Sequence, residues 1–271
     1  MALTAKGRAL TEAHRVQQLA LSARAAARAS QLWAGLDAEN IDASMPAWLA
    51  RNLVSLREYH EQSVDAAAAY VPAYRRAEVG RNFGTVERPD FDGSEMAQAL
   101  ILAGPARVKI LTQKGATATK AHSEALRKYM GIVRRQTMAG GRQLIDQTTE
   151  SDQRAIGWRR VTDGKPCAFC AMLASRGPVY RSAATAGTDG GGLLDNKSGL
   201  RYHGHCGCTA EIVYGEWKPS ERDQGFIAQY QEAARAATAE GLPRTEASVL
   251  PRMRAAGNFR DSPLSRKTPT S

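Results

Sequence analysis

The feature that most constrains this chain is where its four cysteines fall. They occur as Cys167-Ala168-Phe169-Cys170 and, after thirty-five intervening residues, as Cys206-Gly207-Cys208, directly preceded by His203-Gly204-His205. A C-x-x-C pair aims two thiolates at one centre from a tight knuckle, and a distant second pair completes a tetrahedron when the chain folds back. The spacing predicts a structural zinc ion held by Cys167, Cys170, Cys206 and Cys208. The one-residue spacer of the second pair is less usual for zinc than two, so His203 and His205 stand as alternate ligands. The four-sulfur set ranks first and a Cys/His mixture second. Disulfides among the same residues rank behind metal, because they persist mainly in oxidising compartments and the N-terminal run from Met1 to Arg8 has no secretory apolar stretch. A redox C-x-x-C ranks last, since no second parallel strand completes a βαβ unit. Four thiolates leave no coordination position for water, which makes the predicted ion structural and not a Lewis-acid catalyst.

The net charge of +10 over 271 residues is informative once it is located. Residues 1–30, 105–142 and 251–271 carry +4, +8 and +4, leaving −6 for the remainder. Positive charge clustered on helix faces and a tail favours a polyanion through phosphate contact and counterion release, without sequence reading. Solvated helix faces that keep the protein soluble are the competing explanation. No run approaches the roughly 18 apolar residues that span a membrane, so a soluble protein kept in the cytosol is expected.

Alanine-rich periodicity predicts a helix over 12–33, with Val16, Leu19, Ala23, Ala26, Ser30 and Trp33 as its buried stripe. A second helix is expected to start at a Ser44 cap, with Pro46 just inside and His60 packed on its apolar face. Residues 80–93 read as a loop, and Ser94 opens a short helix ended before Pro105. A basic helix over 118–138 would turn Ala125, Tyr129, Ile132, Val133 and Gln136 inward and leave Lys120, Arg127, Lys128, Arg134 and Arg135 wet for nucleic acid. Gly140-Gly141 is expected to break it before another helix over 142–156. Strand character follows at 158–161 and again at 209–214, the second pairing with the first or with Val179-Tyr180. Residues 218–240 read as a helix stopped by Gly241 and Pro243. The tail from 257 to 271, with Arg260, Arg266 and Lys267, reads as disordered and basic. The expected architecture is mostly α with a small α+β module: a helical region over 1–156, the Cys/His zinc knuckle over 157–217, a C-terminal helical segment over 218–256, and the tail.

The run from Trp158 to Leu173, the Gly177-Pro178-Val179-Tyr180 segment and Tyr202-His203-Gly204-His205-Cys206-Gly207-Cys208 together resemble the MuF-like minor head proteins of tailed bacteriophages, especially those infecting actinobacteria. That family closes its module with C-x-x-C and a later H-x-x-C-x-C, onto which His203, Cys206 and Cys208 fall. Gly204 stands where the family often has proline. The likeness covers about sixty residues. It implies a few-copy protein of the phage head, assembled in the host cytoplasm, associated with the portal protein and with major capsid or scaffold protein. It further implies enclosure in the head interior with non-specifically contacted double-stranded DNA, and no membrane partner.

Two enzymatic alternatives follow from the same residues. Related phage proteins are also labelled capsid maturation proteases, yet no G-x-S-x-G elbow occurs, and His14, His60 and His122 fall in predicted helices without evident serine and carboxylate partners. A zinc-supported HNH-type nuclease would use His203 or His205 with Asp195-Asn196, near the weak phosphate-loop signal of Gly190-Gly191-Gly192. The structural reading ranks ahead of both.

Overall fold

The structure, a computed structural model, describes residues 2–81, 84, 86–179 and 202–262. Three long helices, α1 (Ala5–Trp33), α2 (Ile41–Val79) and α5 (Ala118–Ser151), pack on one another, and α3 (Gly93–Ala103) with α4 (Pro105–Gln113) closes one end. At the other end β1 (Gly157–Val161) pairs antiparallel with β2 (Thr209–Val213), in the register Trp158↔Ile212 and Val161↔Thr209. The short α6 (Ala168–Ala174) packs against β1, and α7 (Glu221–Ala239) with α8 (Glu246–Ala256) lies over it. The mostly helical fold with a small strand pair is the expected one. No helix among the described residues is long and apolar enough to cross a membrane.

The expected stripe on α1 holds at Ala26 and Trp33, which are buried, and fails at Val16, Ala23 and Ser30, which are exposed. Val16 is half exposed, whereas Thr11, His14, Gln18, Leu21, Ser22, Ala25, Ala29 and Trp33 face inward. Buried polar groups are tolerated when they are hydrogen-bonded, as Thr11 and Gln18 are, whereas His14 Nδ1 has no hydrogen-bond partner among the described residues. Thr11 donates to Glu211 at 2.6 Å, Gln18 and Ser63 exchange hydrogen bonds, and His14 stacks on Tyr70 with ring centroids 4.4 Å apart. The start of α2 also differs. Ser44 lies in its first turn, where its hydroxyl accepts from the Asp37 amide and donates to the Asn40 carbonyl, so the helix begins at Ile41. Gly80, at φ 72°, supplies the left-handed residue that ends it.

Helix α5 does not break at Gly140-Gly141. A Cβ on Gly140 would sit 2.7 Å from Val64 Cγ2 and 2.8 Å from the His60 carbonyl oxygen, and one on Gly141 would meet Gln18 and Ser63 at 2.7–3.0 Å. The two glycines are where α1 and α2 approach the α5 backbone. Every residue from 135 to 142 is buried, which corrects the placement of Arg135. Three residues after Ile132 and three before Met138, it falls on the inward face and is only 3% exposed. The sign of a substitution follows from this contact. Gly→Ala inside a helix ordinarily gains about 1 kcal/mol, as expected for Gly225→Ala in α7, where a Cβ meets nothing within 4 Å. Gly140→Ala is expected to destabilise by about 2 kcal/mol, because overpacking costs about 1–3 kcal/mol and one obstacle is backbone. Urea unfolding of the two variants beside the wild type checks the opposite signs.

The core has two parts. One gathers Trp33, Trp48, Leu56, Leu100, Tyr129 and Ile132. The other joins Tyr70, Val71 and Tyr74 of α2, Leu144 and Ile145 of α5 and Trp158 of β1 to all four cysteines, Phe226 of α7, Met253 of α8 and Phe259. The cysteine-bearing segment therefore shares its core with the long helices. The C-terminal segment departs from expectation in the same region. Residues 257–262 do not begin a disordered tail but fold back, with Phe259 3% exposed and Ser262 fully buried. The remaining tail residues, Arg266 and Lys267 among them, lie outside the described residues.

Candidate metal centre

Local chemistry sets the cluster. Cys167 precedes α6 as its cap, its sulfur accepting from the Cys170 amide at 3.4 Å, which points Cys170 back at the same place. The strand register puts Thr209 beside Val161, so Cys208 arrives where β1 ends and the chain runs on to Cys167. Between Tyr202 and Cys208 the backbone turns tightly, the Cys206 amide donating to the His203 carbonyl at 3.2 Å and His205 taking φ 62°.

The result is five donors in one place. Cys167 Sγ lies 2.7 Å from His203 Nε2, Cys170 Sγ lies 3.8 Å from the same nitrogen, and Cys170 Sγ is 3.4 Å from Cys206 Sγ. Cys167, Cys170 and His203 form one group of donors within 4.8 Å of one another, and Cys170, Cys206 and Cys208 form a second that shares Cys170. A tetrahedral zinc with bonds of about 2.3 Å holds its sulfurs roughly 3.8 Å apart; the Cys170–Cys206 and Cys170–His203 separations approach that spacing, while Cys167 and His203 lie closer together than it and the donors form two groups of three. All four cysteines are buried free thiols.

The electrostatics favour deprotonation at Cys167 and Cys206 and oppose it at Cys170 and Cys208. Hydrogen bonds from Cys170 and then His203 outweigh burial and bring Cys167 down to about 5. Burial disfavours the His203 cation, but the Cys167 hydrogen bond and charge lift it to about 9. Contacts with Cys170 and Cys208 hold Cys206 low, helped by the charges of Arg142 and Arg160, while Cys170 is raised by its three sulfur neighbours. An ion that demands thiolates would displace the remaining protons.

Two arginines and a tyrosine back the sulfurs. The Arg142 and Arg160 guanidiniums each lie 3.8 Å from the centroid of the Tyr202 ring. Two such groups cannot share one face at that distance, so they enclose the ring between them. Arg142, from α5, also donates to the Cys206 carbonyl at 2.9 Å and to the Cys208 carbonyl at 2.6 and 3.0 Å. Both guanidiniums are 2% exposed, and their charge beside the sulfurs opposes the cost of burying thiolates. Sequence reading assigned these residues no role. The one signal was an arginine pair, Arg159-Arg160, inside a strand otherwise suited to burial.

The other predicted residues separate. His205 turns away from the sulfurs, its Nε2 3.0 Å from the Arg127 carbonyl, and rests on Gly131, where a Cβ would come within 2.8 Å of the ring. Gly204 packs on the same glycine, a close approach that suits glycine in place of proline. Lys120, Arg127 and Lys128 are exposed and Arg134 is partly so, as expected of a wetted face. Arg260 is half exposed and ion-paired with the buried Asp163 at 2.6 Å. His14 stacks on Tyr70, His60 Nδ1 lies 3.1 Å from the Gln136 carbonyl, and His122 accepts from Trp33 Nε1 at 3.1 Å. Asp195, Asn196 and Gly190-Gly191-Gly192 lie outside the described residues.

The chain is similar to the Gene 15 protein of Mycobacterium phage D29, with 37% identity over 112 residues that make up 40% of this chain and 39% of that protein. The match thus spans about two fifths of the length of this curated relative. No solved structure matches. A family model described as VG15 protein matches residues 6–233, from the first helix through both strands and all four cysteines into α7. With that much of its length matched, the chain belongs to the VG15 protein family.

Proposed function

We propose that this chain is a minor structural protein of the phage head, associated with the portal and enclosed with the genome, and that its cysteine cluster holds a structural zinc ion. The observation that carries the proposal is the convergence of four buried cysteines, Cys167, Cys170, Cys206 and Cys208, with the partly buried His203 in a family with a phage relative. Its chemistry suits a fastener. The sulfurs are covered by core residues, Arg142 satisfies the Cys206 and Cys208 carbonyls, and His205 is engaged by α5.

Portal protein and major capsid or scaffold protein are the proposed protein partners, and double-stranded DNA is the proposed polyanion. Lys120, Arg127 and Lys128 along α5, with Arg134 beside them, are the described residues offered for phosphate contact. Arg135 is withdrawn from that set by its burial, and Arg260 is committed to Asp163.

Metal analysis of the reduced, purified chain tests the centre, with one zinc per chain expected. Mass spectrometry of purified particles, separated into heads and tails, tests location, and absence from heads would remove the assignment. For DNA, phosphate contacts by the three exposed residues, Lys120, Arg127 and Lys128, predict that affinity falls roughly forty-fold between 50 and 200 mM salt. Failure to shift duplex DNA even at low salt would remove that part alone.

A further inference from the structure

The segment that follows α8 crosses both limbs of the cysteine cluster. The Arg260 amide donates to the Pro166 carbonyl at 3.0 Å, immediately before Cys167. The Arg260 side chain donates from Nη1 to the His205 carbonyl at 2.9 Å, immediately before Cys206, and from Nη2 to Asp163 at 2.6 Å. Asp261 Oδ1 accepts from the Ala168 amide at 2.8 Å, immediately after Cys167, and its other oxygen accepts from Arg254 of α8 at 2.6 Å. Phe259 is buried in the shared core, and Ser262 closes the segment by donating to the Gly257 carbonyl. One arginine thus spans the first pair of cysteines and the second, and the neighbouring aspartate fixes the helix that the first pair begins.

We propose that residues 257–262 are a latch on the metal centre and that Arg260 is its positioning residue, setting how long the ion is held. This rests on the zinc reading above. The two ligand limbs are far apart in sequence and bring cysteines to the ion from different elements, so ion release requires them to part. Arg260 joins them through groups adjacent to ligands without donating to the ion itself. Outer-shell partners of this kind change metal affinity about 10–100-fold when removed. The latch lies beyond residues 6–233, the part of the chain that the family model matches.

The test compares zinc-loaded full-length wild type with Arg260→Ala, Arg260→Lys and a distant control, Lys109→Ala. Zinc transfer to an excess of a chromogenic chelator is timed under native conditions, and unfolding of the helices in urea is followed separately. The latch predicts release about tenfold faster in Arg260→Ala, less change in Arg260→Lys and none in the control, with the urea midpoint of Arg260→Ala lowered by the loss of the Asp163 partner but by less than the rise in release rate requires. Equal release rates would overturn it. So would faster release matched by a proportionate fall in midpoint, which would make Arg260 a general stabilising contact. A wild-type chain that binds no zinc would remove the metal reading, and the latch with it, whereas a zinc-loaded wild type indifferent to Arg260 would remove the latch alone.

Discussion

Cys206→Ser is expected to weaken zinc binding, leaving Cys167, Cys170, Cys208 and His203 as a poorer set, and to lower the melting temperature by more than about 10 °C. Cys206 is 2% exposed, lies 3.4 Å from Cys170, and shares its core with Tyr70, Val71, Leu144 and Trp158. Structural zinc contributes about 10–16 kcal/mol in small finger peptides, comparable with the whole stability of a typical domain. Part of that is recovered here because the helices bury their own apolar surface, so the variant should retain helical signal while losing the cooperative transition around β1, β2 and α6. The informative partner is His205→Ala. His205 is equally close in sequence to the cysteines but bonds to α5, and it should keep one zinc per chain. Metal analysis and thermal denaturation of the pair check both statements. Unchanged zinc binding and wild-type melting in Cys206→Ser would remove Cys206 from the ligand set.

The second large effect belongs to a buried ion network. Arg159 of β1 donates to Glu211 of β2 at 2.6 Å and to Asp223 of α7 at 3.3 Å, and the other oxygen of Glu211 accepts from Thr11 of α1. Glu211 is 1% and Asp223 4% exposed. Arg159→Met leaves two carboxylates buried without their cation, for which a loss of about 3–5 kcal/mol is expected. Adding Glu211→Gln to that variant should return a substantial part, because the amide still accepts from Thr11 and carries no charge. By contrast, removing Lys109 from its surface pair with Asp42, whose side chains are 43% and 78% exposed, should cost less than about 1 kcal/mol. Urea unfolding of the four proteins separates a buried charge problem from a generic loss of contacts.

The parts of this fold that the sequence exposes are those governed by short-range chemistry. The spacing of Cys167, Cys170, Cys206 and Cys208 marks them as one cluster, and strand character at 158–161 and 209–214 marks both strands, the partner of the second being left open by the sequence between 158–161 and Val179-Tyr180. The misplaced parts depend on contacts between distant residues. The α1 stripe runs through Thr11, His14 and Gln18 because Glu211, Tyr70 and Ser63 wait for them on other elements, and polarity alone points those side chains outward. Gly140-Gly141 reads as a break by propensity, yet the cost of glycine in a helix is offset by the approach of α1 and α2 that it permits. Arg260 reads as tail charge until Asp163 and the His205 carbonyl are seen beside it. His205 shows the same limit at the site, since its place next to Cys206 suggests a ligand and only Gly131 of α5 reveals where the ring goes.

Helix α5 is 34 residues long, roughly 50 Å at 1.5 Å per residue, and it runs unbroken through both parts of the core. Tyr129 and Ile132 anchor one half and Leu144 and Ile145 the other, while the cysteine segment is fastened along its length at Gly131, Arg127 and Arg142. Mechanically this is a beam riveted to its neighbours at several points, with no hinge between the helical end and the metal end. A load applied where α3 and α4 cap the bundle would therefore be carried along the beam to the cysteines, and the molecule would respond by tilting as a single lever.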